Sequence, residues 1–97
     1  MRAKQMLRIE REVKGCVTRL RLSGRVQADG IGCIRSAMSD DCARKILDLS
    51  DVTLIDRTAV GFLIRCEDAG VELVNSPPYV REWIHRERAE EAERQTV

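Results

Sequence analysis

The sequence predicts an α/β (α+β) domain: a single-layer mixed β-sheet of about four strands with helices packed on it. Three observations predict it. Two consecutive segments alternate apolar and polar residues on either side of Lys14-Gly15, the mark of a hairpin. Strand-like and helix-like segments then alternate to the end of the chain, which needs parallel strands joined by crossover helices. The chain has 97 residues, enough for one hydrophobic core and too few for two.

In the first segment Leu7, Ile9 and Val13 fall on one face and Arg8, Glu10 and Glu12 on the other, with Arg11 out of pattern. Past the turn, Cys16, Thr18, Leu20 and Leu22 continue the alternation against Val17, Arg19 and Arg21, and Ser23-Gly24 ends the strand. That alternation puts Cys16 on the leucine face. Ile31, Ile34 and Met38 then recur at helical spacing, with Gly30 and Gly32 weakening the helix start and Ser39-Asp40-Asp41 as the exit loop. Lys45–Leu49 is a short apolar run, read as a strand buried on both faces. Ser50-Asp51 breaks it before Val52–Ile55 resumes.

Asp56 stands where a helix N-cap belongs. Behind it Ala59, Phe62, Leu63 and Cys66 keep the i, i+3, i+4, i+7 rhythm of a buried stripe, and Gly70 is the expected left-handed C′ residue. Val71–Val74 is a further strand. Asn75-Ser76-Pro77-Pro78 opens the last helix, with Ser76 read as N-cap and Pro77 as N1, and with Val80, Trp83 and Ile84 as its apolar face. One domain spans 1–97, its core covering about residues 6–85 and a charged helical tail, expected to fray, covering 86–97.

Composition excludes several functions. Seventeen Lys and Arg against sixteen Asp and Glu leave a net charge of +1, which argues against a nucleic-acid partner. Only 3% of residues are aromatic, too few for stacking bases or sugars. No apolar run reaches the roughly 20 residues of a membrane span, and Met1–Gln5 leads into no apolar segment, so the expected location is the cytoplasm without membrane insertion. Cys16, Cys33, Cys42 and Cys66 contain no C-x-x-C pair. No zinc or other metal site is therefore expected, and the thiols read as small core fillers. No pair of converging carboxylates, no dinucleotide loop around Gly30-x-Gly32 and no partner for His85 points to an enzyme or a cofactor.

One block carries more. Ile46-Leu47-Asp48-Leu49-Ser50-Asp51-Val52-Thr53-Leu54-Ile55-Asp56-Arg57-Thr58-Ala59-Val60-Gly61-Phe62-Leu63 resembles the signature of STAS domains, the family of bacterial anti-sigma-factor antagonists and of the cytoplasmic tails of anion transporters. The matching pattern is a strand ending Asp-Leu-Ser, an apolar strand end, and an Asp-Ser-Ser-Gly or Asp-Thr-Ala-Gly turn that opens a helix. Arg21-Leu22-Ser23-Gly24-Arg25 also fits the family order.

The resemblance implies a non-enzymatic partner-switching module for a protein partner: a serine/threonine kinase-like anti-sigma factor, a sensor or a complex subunit. In the antagonists the Ser after the Asp is phosphorylated, and the added charge breaks the interface. Here that position is Arg57, so the usual switch is lost. Thr58 is the remaining phosphoacceptor candidate, or else hydrogen-bonds in the first helical turn. Arg57 either contacts an acidic partner or sits solvated on the helix rim. The implied partner surface comprises Asp56, Arg57, Thr58, Val60, Gly61 and Ile64. Val60 and Ile64 are core if the last helix covers them and an apolar ridge beside the turn if it does not; Gly61 leaves room for a close approach. Two other readings stay open: an accessory subunit of a lipid-transporting ABC complex, and a small thiol enzyme or redox sensor. A homodimer is also compatible.

Overall fold

The structure, a computed structural model, describes residues 7–95, with the side chain of Gln95 left aside. The readings of Met1–Gln5, of a core beginning at Met6 and of the tail beyond residue 95 lie outside these residues. In chain order the elements are β1 (Leu7–Lys14), β2 (Val17–Val26), a 3-10 turn (Ala28–Gly30), α1 (Ile31–Ala37), β3 (Arg44–Ile55), α2 (Arg57–Asp68), β4 (Glu72–Val74) and α3 (Pro78–Gln95). They form one four-stranded sheet in the order β1-β2-β3-β4, antiparallel between β1 and β2 and parallel from β2 to β4. This is the mixed single-layer sheet with helices that the alternation predicts.

Two successive crossovers between neighbouring parallel strands bring α1 and α2 onto one core with the sheet, and α3 packs against α2. The core lies between one face of the sheet and the helices. Leu20, Leu22, Leu47 and Leu49 supply the sheet side, and Ile34, Val60, Leu63, Val80 and Ile84 the helical side. Burying each such side chain contributes about 1.5–3 kcal/mol.

Four details depart from the sequence reading. β2 does not end at Ser23-Gly24: Gly24 takes φ +90, the pairing with β3 shifts on either side of Ser23-Gly24, and the strand runs on to Val26. β3 likewise is not broken at Ser50-Asp51. Between Arg21↔Asp48 and Ser23↔Asp51 it advances three residues against two on β2, a bulge whose Ser50 N–H donates to the Asp48 carboxylate at 3.0 Å.

Cys16 is exposed in the hairpin turn, not on the leucine face, because strand pairing resumes only at Val17. Cys33 is exposed on α1 and Cys42 half-buried, so of the four thiols Cys66 alone fills the core. Finally, α3 begins one residue later than expected. A residue before proline is kept out of the helical region, so Pro77 stays outside the helix and Pro78 takes N1. The Pro77 carbonyl accepts from Val80 and Arg81 N–H at 3.0 and 3.1 Å. The Ser76 hydroxyl caps nothing and is buried without a partner.

The charged end of α3 is helical through Gln95, and α2 anchors the helix up to Arg88. Arg88 pairs with Glu67 at 2.8 Å and with Asp68 at 3.1 Å. α2 itself ends as expected: Gly70 has φ +100, its N–H donates to Glu67 O at 3.1 Å, and Val71 N–H donates to Cys66 O at 2.9 Å, the paired bonds of a Schellman motif.

Candidate functional site: the turn that opens helix α2

β2 and β3 are adjacent parallel strands, so the chain leaves both at the same edge of the sheet. In open α/β sheets that edge is where sites form. The two exits are fastened together by Asp56. Its Oδ1 accepts the Ala59 N–H at 2.8 Å, an N-cap bond within α2. Its Oδ2 accepts the Ala28 N–H at 3.0 Å, from the start of the 3-10 turn after β2. Its own N–H donates to Val26 O at 3.3 Å. With both carboxylate oxygens engaged, Asp56 is a positioning residue that sets the pose of the next two side chains.

Those two are exposed. The Arg57 side chain is 69% exposed and meets Glu87 of α3 at 3.6 Å, an ion pair of little energetic weight in water. Arg57 therefore sits on the solvated rim. Thr58 is exposed, and among the described residues its hydroxyl makes no hydrogen bond, so it does not bond the first turn of the helix. A positively charged side chain, the positive end of a helix and a free hydroxyl stand side by side on a fixed turn.

The remaining residues of the implied partner surface are elsewhere. Val60 is fully buried and Ile64 is 7% exposed, both within the core with Val80 and Ile84 of α3. The ridge alternative is overturned. Gly61 lines a cleft of about 160 Å³ between α2 and α3, together with Ile64, Arg65, Glu87 and Glu91. The chain that approaches it is this protein's own last helix. A Cβ there meets only Arg65 Nη1, at 3.7 Å, so close packing does not demand a glycine.

The sequence reading missed two polar nodes. Asp48, buried on the sheet face turned away from the helices, joins β2, β3 and the turn after β4: Oδ2 accepts from Arg19 of β2 at 2.7 Å, and Oδ1 from the Ser50 N–H at 3.0 Å and from Asn75 Nδ2 at 3.3 Å. Burial alone raises its pKa, but the Ser50 N–H, the Arg19 guanidinium, the Ser50 hydroxyl and the Asn75 amide together outweigh it and hold the carboxyl at about 2. Asp40 is the second node. It accepts from the buried Thr18 hydroxyl at 2.6 Å, from Arg11 at 2.9 Å and from the Cys42 N–H at 3.0 Å, and pairs with Lys45 at 3.1 Å. The Thr18 bond first, then Arg11, set its pKa well below the ordinary carboxylate range.

Both carboxyls are more acidic folded than unfolded, so the unfolded chain takes up protons first as pH falls. For Asp48 the stabilisation is complete above the ordinary value of 3.8 and is lost as pH falls from there through about 2. Urea midpoints measured between those limits should fall steadily, and Asp48→Asn should flatten the fall while lowering the neutral-pH midpoint. An unchanged slope in that variant contradicts the assignment.

Of the thiols, Cys66 is the buried one. Burial pushes the Cys66 thiol above its ordinary value, away from the thiolate. Among the described residues, no group of three or more His, Cys, Asp or Glu is placed to hold a metal ion. No helix there is long and apolar enough to cross a membrane. No protein-family model matches this chain, and no curated protein matches it at a significant level.

Proposed function

We propose that this chain is a non-enzymatic protein–protein interaction module of the STAS, anti-sigma-factor-antagonist-like type, working in the cytoplasm of a bacterium. Its contact surface is the turn Asp56–Thr58. The observation that carries the reading is the two-ended hold of Asp56, which presents Arg57 and Thr58 in one pose to solvent at the start of α2. Thr58 makes no internal hydrogen bond among the described residues and Arg57 only a loose, exposed ion pair with Glu87, which suits both to an external partner.

The chemistry of the turn selects an acidic partner surface through Arg57, since the positive end of α2 is already met by the Asp56 carboxylate. Regulation then runs through Thr58 or through the partner. A phosphate on Thr58 would sit in the first turn of α2, against backbone N–H groups and beside Arg57, and would reverse the charge the partner meets. Val60 and Ile64 support the turn from beneath and do not touch the partner.

Affinity capture from lysate with wild type and Arg57→Glu tests this. The expected result is a partner held by the wild type and lost by the variant, with both proteins showing the same thermal melt. Capture of the same partner by both removes Arg57 from the surface. Incubating that partner with ATP and the wild type, then with Thr58→Ala, separates the two modes of regulation: phosphate on the wild type only assigns it to Thr58.

A further inference from the structure

β1 is an edge strand: β2 covers one side of it, and among the described residues nothing pairs with the other. Free edges of this kind invite another strand, and proteins blunt them with proline, bulges, short length or inward-pointing charge. β1 has none of the first three. It is eight residues long, without proline, and pairs with β2 in unbroken register from Leu7↔Gly24 to Lys14↔Val17. Its inward-pointing charge, Arg11, is already neutralised by Asp40 at 2.9 Å and by Ala37 O at 3.1 Å. From the side chains on that edge we infer that its occupant is a second copy of this chain, joined antiparallel through β1 into a continuous eight-stranded sheet.

The charges choose the partner and the register. In a two-fold antiparallel pair, facing residues share a face of the sheet, so the axis falls on a residue of β1. An axis at Arg8, Glu10, Arg11 or Glu12 sets that charge against its own copy, which is destabilising. An axis at Val13 pairs little beyond the hairpin tip, and one at Leu7 relies on residues before the strand. An axis at Ile9 faces Arg8 with Glu10 twice on the solvent side, and on the helix side Ile9 with Ile9 and, at each end, Leu7 with the stem of Arg11, whose guanidinium stays on Asp40. Arg8 and Glu10 are exposed, 76% and 52%, and within one chain they meet only loosely, Arg8 with Glu10 at 3.6 Å and Glu10 with Arg21 at 3.9 Å, so the exchange gives up little. Ile9 is half-buried and packs on the core, so the pairing joins the two cores.

Sedimentation equilibrium over a concentration series tests the inference, with Glu10→Arg and Arg8→Glu/Glu10→Arg beside the wild type. The expected result is a wild-type dimer that Glu10→Arg weakens by about tenfold or more, and that the double variant restores by exchanging the two charges. Far-UV circular dichroism checks that all three are folded, and Arg8→Glu alone should repeat the loss from the other side of the pair. A wild type that stays monomeric to about 1 mM overturns the inference. So does a dimer indifferent to Glu10→Arg, or a double variant that fails to regain it. None of these outcomes depends on the turn at Asp56.

Discussion

Val60→Asp is expected to unfold the domain. Val60 is fully buried in the core, beneath α3, and no cation among its core neighbours can pair with a carboxylate placed there. An unpaired buried charge costs several kcal/mol even after relaxation, roughly the whole stability of about 5–15 kcal/mol that a domain of this size has. Far-UV circular dichroism should show no cooperative thermal transition. A melt within a few degrees of the wild type contradicts the packing of α3 over α2. Loss of a partner in this variant says nothing about the interface, whereas loss in Arg57→Glu does, since Arg57 is outside the core.

Asp56→Ala should cost about 2 kcal/mol, summing a helix cap at roughly 0.5–2 kcal/mol and one further hydrogen bond at roughly 1 kcal/mol. In a domain of this length that lowers the melting temperature by roughly 8–16 °C. Asp56→Asn divides the two contributions. Its amide oxygen still caps Ala59, but its NH2 group faces the Ala28 N–H, donor against donor. About half the loss should remain, with the urea m-value unchanged. If Asn costs as much as Ala, the cap is the lesser bond. If Asn costs nothing, the tie between the two strand exits contributes nothing to stability.

Much of this fold is legible in local pattern. The hairpin, the Asp56 cap, the Ala59–Cys66 stripe and the Gly70 stop depend on neighbours within a few residues, so periodicity and capping chemistry find them. What is not legible depends on distant groups. Ser50-Asp51 resembles a strand break because the Asp48 carboxylate that satisfies the bulge is itself fixed by Arg19 on β2 and by Asn75 after β4, both distant in sequence. Whether Val60 and Ile64 are ridge or core was undecidable from α2 alone, since the answer is where α3 docks.

The Asp40 node joins β1, β2 and the loop before β3, and one trace of it is visible in the sequence. Arg11 breaks the alternation of β1, pointing inward where a core residue belongs. That misfit is the mark of a charge with a partner on the helix side of the sheet. The exposed hydroxyl of Thr58 had no such mark, because Ser and Thr bond the first turn of a helix as readily as they leave it.

The measurement that tests the interaction surface most directly is photo-crosslinking in cells. A benzophenone amino acid is placed at Thr58 in one strain and at Glu12, on the opposite face of the sheet, in another. The account predicts a crosslinked partner of different sequence from position 58 and, from position 12 on β1, nothing beyond a second copy of this chain. The same partner captured at Glu12 and absent at Thr58 would place the working surface on the open sheet, and the turn at α2 would be a structural corner only.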